Sequence, residues 1–197
     1  MEQFEKNLPP EESIEEGRAV LIREKTLYHG TGVEDIEQFQ PAEETTVGEG
    51  VYLTSKKEDA AGYAKRRARS RGGNPVVYEG KIENLKLLEL RNDSTVEEIL
   101  DGFLPILEEK QGKEGLTWVE ENVLDTAISD IKAHKVKAGR VGIIARSLGK
   151  TFTEYMQSLG YDGLITMEGG EGDDIETHDT YLIFDSEKVH NLSKTPA

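Results

Sequence analysis

The run Thr26–Thr31 reads as a strand in which Leu27, His29 and Thr31 share one face, because strand side chains alternate. Residues 50–54 read as a second strand, with Val51 and Leu53 on one face and Tyr52 on the other. Ser55-Lys56-Lys57-Glu58 has the form of a capping box and predicts a helix start. That helix runs through Ala60, Ala61, Tyr63, Ala64 and Ala68 to Gly72-Gly73, with Ala60, Tyr63, Ala64 and Arg67 on one side. Pro75–Ile82 and Leu85–Leu90 read as two strands separated by Glu83-Asn84.

Beyond residue 93 the apolar period changes. Ser94-Thr95-Val96-Glu97 predicts a capped helix with Val96, Ile99, Leu100, Phe103 and Leu107 on its apolar face, kinked or ended early by Pro105. Leu116, Val119, Val123, Leu124, Ala127, Ile128 and Ile131 fit a second helix. Together, residues 94–138 read as a helical insertion between two sets of strands. A third helix turns Phe152, Tyr155, Met156 and Leu159 inward and stops at Gly160. Asp162–Met167 and Thr180–Phe184 read as strands around the acidic, glycine-rich loop 169–174, and Val189–Leu192 as a last one. Residues 1–25 read as an acidic N-terminal arm with a short helix over Ser13–Arg23, leaving 26–197 as one domain.

Composition narrows the function classes. With 197 residues the chain can bury one good-sized core. A net charge of −15 argues against a general polyanion-binding surface and favours a basic protein partner. The absence of cysteine excludes disulfides, thiolate metal sites and thiol catalysis. No apolar run is long enough to span a bilayer, and the acidic start lacks a signal-peptide pattern. The expectation is a cytoplasmic protein, or one secreted without a cleaved signal peptide, with no membrane partner.

Of the four histidines, His134 and His190 read as surface or structural groups. No pair has zinc-ligand spacing, so no metal is expected, and neither dinucleotide nor phosphate-loop glycine motifs occur. His29 stands apart because Gly30 follows it and leaves the adjacent backbone open to a ligand. Tyr52 faces a cleft if Val51 and Leu53 face the core. Lys65–Arg71 is the one dense basic run. It reads either as a solvated helix face or as a strip in which Arg67 reaches a phosphate.

Five segments occur in a telling order: Leu27-Tyr28-His29-Gly30-Thr31, Gly50-Val51-Tyr52-Leu53-Thr54, Ala60-Ala61-Gly62-Tyr63-Ala64, Val76-Val77-Tyr78-Glu79 and Thr180-Tyr181-Leu182-Ile183-Phe184-Asp185. In this the chain resembles the ADP-ribosyltransferases, in the diphtheria-toxin-like and poly-ADP-ribose-polymerase-like branch marked by His, Tyr and Glu. The resemblance implies an α+β fold, a split core of two small, mostly antiparallel sheets with flanking helices and the helical insertion. It implies NAD as co-substrate. His29 would bond a ribose hydroxyl, Gly30 the nicotinamide carboxamide, and Thr31 the adenosine side. Tyr52 and Tyr63 would sandwich the nicotinamide ring, and Arg67 would meet a phosphate. Cleavage of the nicotinamide–ribose bond develops positive charge on the sugar, which an aromatic sandwich, fixed hydroxyls and a nearby carboxylate favour.

The carboxylate departs from the pattern. The resemblance puts Thr180 at the glutamate position and Asp179 one residue earlier, where a bulge would be needed to turn it inward. His178, Glu176 and Asp174 precede them on the loop. Ala60 stands where polymerase relatives have a serine. The expected catalytic set is therefore His29, Tyr52, Asp179 and Thr180, and the expected activity is transfer of a single ADP-ribose to a protein with release of nicotinamide. The alternatives are a pseudoenzyme that holds NAD or ADP-ribose, and, disfavoured by charge, a transferase acting on nucleic acid. A further alternative is an interaction protein that works through its helical insertion.

Overall fold

The computed structural model describes residues 14–16, 18–41, 48–113, 117–138, 141–168 and 177–197. In chain order the elements are β1 (Ile14–Glu16), β2 (Ala19–Thr31), β3 (Val51–Thr54), α1 (Lys57–Arg71), β4 (Val76–Glu89), α2 (Asp93–Gln111), α3 (Trp118–Lys132), α4 (Val141–Ser158), β5 (Gly163–Glu168), β6 (His178–Ile183) and β7 (Val189–Pro196). The fold is α+β. Its seven strands form one sheet in the order β1-β2-β3-β6-β5-β4-β7, and β2 also pairs with β4. That extra pairing closes β2, β3, β6, β5 and β4 into a ring. The two halves of the expected split core are thus hydrogen-bonded to each other. All pairings are antiparallel except β4 with β5.

Alternation along the ring sorts its side chains to two sides. Leu27, Val51, Leu53, Tyr78, Ile82, Leu87, Ile165, Tyr181 and Ile183 are buried in one cluster. Leu88, Leu164, Leu182 and Phe184 join the buried faces of α2, α3 and α4 in another. There Phe103 packs edge-on against Phe152 at 5.3 Å and stacks with Tyr155 at 5.2 Å. The inserted helices bury their apolar stripes on the outside of the ring and leave α1 to cover the remainder.

Four expectations change. The helix over Ser13–Arg23 is not formed: Ala19–Thr31 is one long strand, with Val20 opposite Leu87 and Ile22 opposite Leu85. Pairing with a distant apolar strand buries residues that local capping signals would place in a helix. The two strands expected over 75–90 are a single strand, β4. Asn84 sits at φ 53°, a conformation asparagine tolerates, and β4 changes neighbour across it, from β7 through Ile82 to β5 from Leu87. Asn92 caps α2, its side chain accepting from the Thr95 amide at 2.8 Å, and the helix continues through Pro105. Proline removes an amide bond to the carbonyl four residues back, that of Asp101, an exposed residue on the helix surface. Leu159 follows the end of α4 and is 42% exposed rather than inward.

Candidate active site

The β2–β3 ladder holds a single pair, Tyr28 opposite Thr54. Toward Thr31 on one strand and Val51 on the other, the two strands part. His29 bridges the parting: its Nδ1 lies 2.8 Å from the backbone carbonyl oxygen of Tyr52. A carbonyl only accepts, so Nδ1 carries the hydrogen. The ring packs edge-on against Phe39 at 4.9 Å, and Phe39 against Tyr78 at 5.9 Å. Burial holds the His29 pKa below its ordinary value of 6.5; the bond to Tyr52 opposes this and the Arg67 charge adds to it. The residue as a whole is half-buried. A neutral imidazole with Nδ1–H fixed leaves Nε2 as an acceptor.

Gly30 is not open in the way its sequence suggested. A Cβ there would overlap the carbonyl oxygen of Ala60, so the missing side chain admits α1 rather than a ligand. The edge of Gly30 toward β3 lies beyond the last ladder pair. The same contact accounts for alanine at position 60, which is 1% exposed. Thr31 turns its Oγ1 to the Val33 amide at 3.2 Å.

Tyr52 has Val51 and Leu53 buried on the opposite side, as expected. Its own ring packs against the helical core, half-buried, and its hydroxyl donates to the Gly48 carbonyl at 3.0 Å. Gly48, at φ 132°, and Gly50 bring this loop against α4 and β6; a Cβ on Gly50 would press on the Ile183 carbonyl. Tyr63 stands with its ring edge-on to His178 at 5.7 Å and with the Arg66 guanidinium 4.7 Å from its centre. Arg66, not Arg67, is thus the cation on the tyrosine; Arg67 is exposed and acts on His29 through charge.

The acid position resolves by register. Thr180 lies opposite Thr54 on β3 and Thr166 on β5. All three are buried and share the face that carries Tyr52. The pairings of β6 run without a register shift, so no bulge turns Asp179. Asp179 stays on the other face, where its carboxylate accepts from Arg91 Nη1 at 3.1 and 3.3 Å. It also stands three residues along β6 from Leu182, the partner of Tyr52. The structure ties His29 to the backbone of Tyr52 where β2 and β3 part, sets Tyr63 against His178 of β6, and holds Asp179 to Arg91. His178 opens β6 rather than ending a loop. Asp174 and Glu176 lie outside the described residues.

One buried polar atom has no signal in the sequence pattern. Asp59, in the first turn of α1, has a fully buried Oδ2 with no hydrogen-bond partner among the described residues. A shallow depression lined by Glu97, Leu100, Asp101, Ile131, His134 and Val136 involves none of these groups.

The family model for ADP-ribosyltransferases in polyvalent proteins matches residues 23–195. The chain belongs to that family. The match runs through the inserted helices as well as the ring. A chain of the crystal structure of the M. tuberculosis MbcT-MbcA toxin-antitoxin complex shares 10% identity, with a TM-score of 0.44 over 88% of this chain and 84% of that one. No curated protein matches.

Proposed function

We propose that the domain transfers one ADP-ribose from NAD to a protein, with release of nicotinamide. One observation carries the reading: a neutral His29, fixed by the Tyr52 carbonyl, that offers Nε2 as an acceptor where β2 and β3 part. An acceptor there suits a ribose hydroxyl. Tyr52 and Tyr63 supply aromatic faces for the nicotinamide ring, and the free edge of Gly30 suits its carboxamide. Arg66, Arg67, Arg69 and Arg71 are exposed on α1 and suit the diphosphate or an acidic stretch of the target. Thr180 supplies no carboxylate to activate a ribosyl hydroxyl, which favours a single transfer over chain growth. The test is incubation of the purified protein with NAD labelled in the adenylate, following nicotinamide release and separating protein from nucleic-acid acceptors. The reading fails if the protein binds no NAD and a His29→Ala, Tyr52→Ala double variant behaves as the parent does.

A second reading is a domain that holds NAD or ADP-ribose without cleaving it. The buried hydroxyl row Thr54, Thr180 and Thr166 favours it, since no charge stands at the acid position. Binding of NAD with no release of nicotinamide by the parent, and release gained in Thr180→Glu, would support this second reading.

A further inference from the structure

Gly149 and Thr153 lie one turn apart on the same side of α4. That side meets the loop through which the chain enters β3. A Cβ on Gly149 would lie 3.6 Å from the Cα of Gly48, and one on Gly48 would press on Thr153 Oγ1. The two glycines thus bring helix and loop close enough for a side-chain hydroxyl to reach main chain. Thr153 Oγ1 accepts from the Glu49 amide at 3.0 Å and donates to the Glu49 carbonyl at 3.2 Å. A single buried hydroxyl therefore serves both backbone groups of one loop residue. The neighbouring Phe152 packs on Phe103 of α2 at 5.3 Å, which fixes the helix that presents Thr153.

The clasped loop also supports Tyr52. The Tyr52 hydroxyl donates to the Gly48 carbonyl at 3.0 Å, and the Tyr52 carbonyl accepts from His29 Nδ1 at 2.8 Å. Tyr52 is thus held at both ends, and the ring's end rests on the residue beside the one that Thr153 grips. Gly48 sits at φ 132° and has no side chain to steady it. Without the clasp the Glu49 amide and carbonyl would have to find other partners, and the loop would turn with them. Resting on the reading of the site as one for NAD, we propose that Thr153 is a positioning residue: from α4 it fixes loop 48–50, and so the orientation in which the Tyr52 ring meets nicotinamide. The hydroxyl touches no substrate. It acts through Gly48 and Tyr52, and it makes the aromatic face of the site depend on the packing of α4 against α2.

The experiment uses the full chain and measures NAD affinity by calorimetry, thermal unfolding without ligand, and hydrogen exchange at the Glu49 amide. Thr153→Val and Thr153→Ala remove the hydroxyl, Thr153→Ser keeps it, and each is made in the parent and in Tyr52→Ala. In the parent background both hydroxyl-free variants should bind NAD about fivefold more weakly, the cost of losing the ring itself. Exchange at Glu49 should rise by about tenfold or more. Thr153→Ser should stay within about twofold of the parent in affinity. In Tyr52→Ala the hydroxyl-free substitutions should change NAD affinity by less than about twofold, because the ring they position is gone. They should lower the melting temperature as much there as in the parent. An equal loss of affinity in both backgrounds would overturn the proposal, since a merely structural role does not depend on the ring. A Glu49 amide that exchanges in the parent as fast as free chain would overturn it without any variant. A parent that binds no NAD would overturn the underlying reading and this role with it; a parent that binds NAD and hydroxyl-free variants that match it would overturn the role alone.

Discussion

The Nδ1 of His29 donates to the Tyr52 carbonyl at 2.8 Å, across the point where β2 and β3 part. This bond fixes the tautomer, and burial keeps the ring neutral. A histidine with a folded-state pKa below its unfolded one binds fewer protons folded than unfolded. Its contribution to stability is full above the unfolded value and is lost as pH falls toward the folded value. Denaturant midpoints taken from about pH 8 to about pH 5 should therefore drop at the acid end for the parent. His29→Gln should flatten that drop. NAD affinity should fall in the same direction, since a protonated Nε2 no longer accepts.

Gly30→Ala should destabilise the protein by about 1–3 kcal/mol, the usual cost of overpacking. The new methyl meets the backbone of Ala60 and must push α1 off β2. Urea unfolding measures the loss. A fully stable Gly30→Ala protein would contradict the close approach of helix and strand.

Tyr52→Phe and Tyr52→Ala separate hydroxyl from ring. The phenylalanine variant loses the bond to the Gly48 carbonyl and should cost about 1 kcal/mol of stability, with NAD affinity within about threefold. The alanine variant also loses the aromatic face, worth about 1 kcal/mol, and should bind NAD about fivefold more weakly. Titration calorimetry beside thermal unfolding gives both quantities.

Asp179→Asn should change NAD affinity and nicotinamide release by less than about twofold. The carboxylate is held by Arg91 on the face away from Tyr52. With side chains 35% and 34% exposed, the Arg91–Asp179 pair should contribute less than about 1 kcal/mol. A large loss of turnover would show that Asp179 reaches the substrate.

Thr180→Glu should unfold at lower denaturant, because a carboxylate would replace a side chain 3% exposed between Thr54 and Thr166. Burial of an unpaired polar group costs about 1–3 kcal/mol even with partial compensation. A rise in nicotinamide release alongside that loss would show that the remainder of the site is competent.

Local patterns settled much of this chain. The alternation at Val51–Thr54 put Tyr52 opposite two core residues, and burial agrees. The apolar spacing from Val96 to Leu107 gave the buried face of α2, all of it within the helical core. The motif order around His29, Tyr52 and Tyr63 gave the family. These signals are carried by residues a few positions apart, where strand and helix periods act directly.

Other features depended on partners far along the chain. Val20 and Ile22 became strand because Leu87 and Leu85 offered a ladder, and no signal within residues 13–23 encodes that pairing. Ala60 of α1 fills the side-chain position of Gly30, a close approach no local pattern announces. Asp179 and Thr180 are adjacent in sequence, and only the register of β6 with β3 and β5 decided that threonine shares the Tyr52 face while the acid turns to Arg91. The sequence by itself determined most of the periodic elements and the family, and it named candidate residues. The tertiary structure decided which of them meet, because register and helix approach follow from burying distant apolar surfaces together, and that summed constraint has no local code.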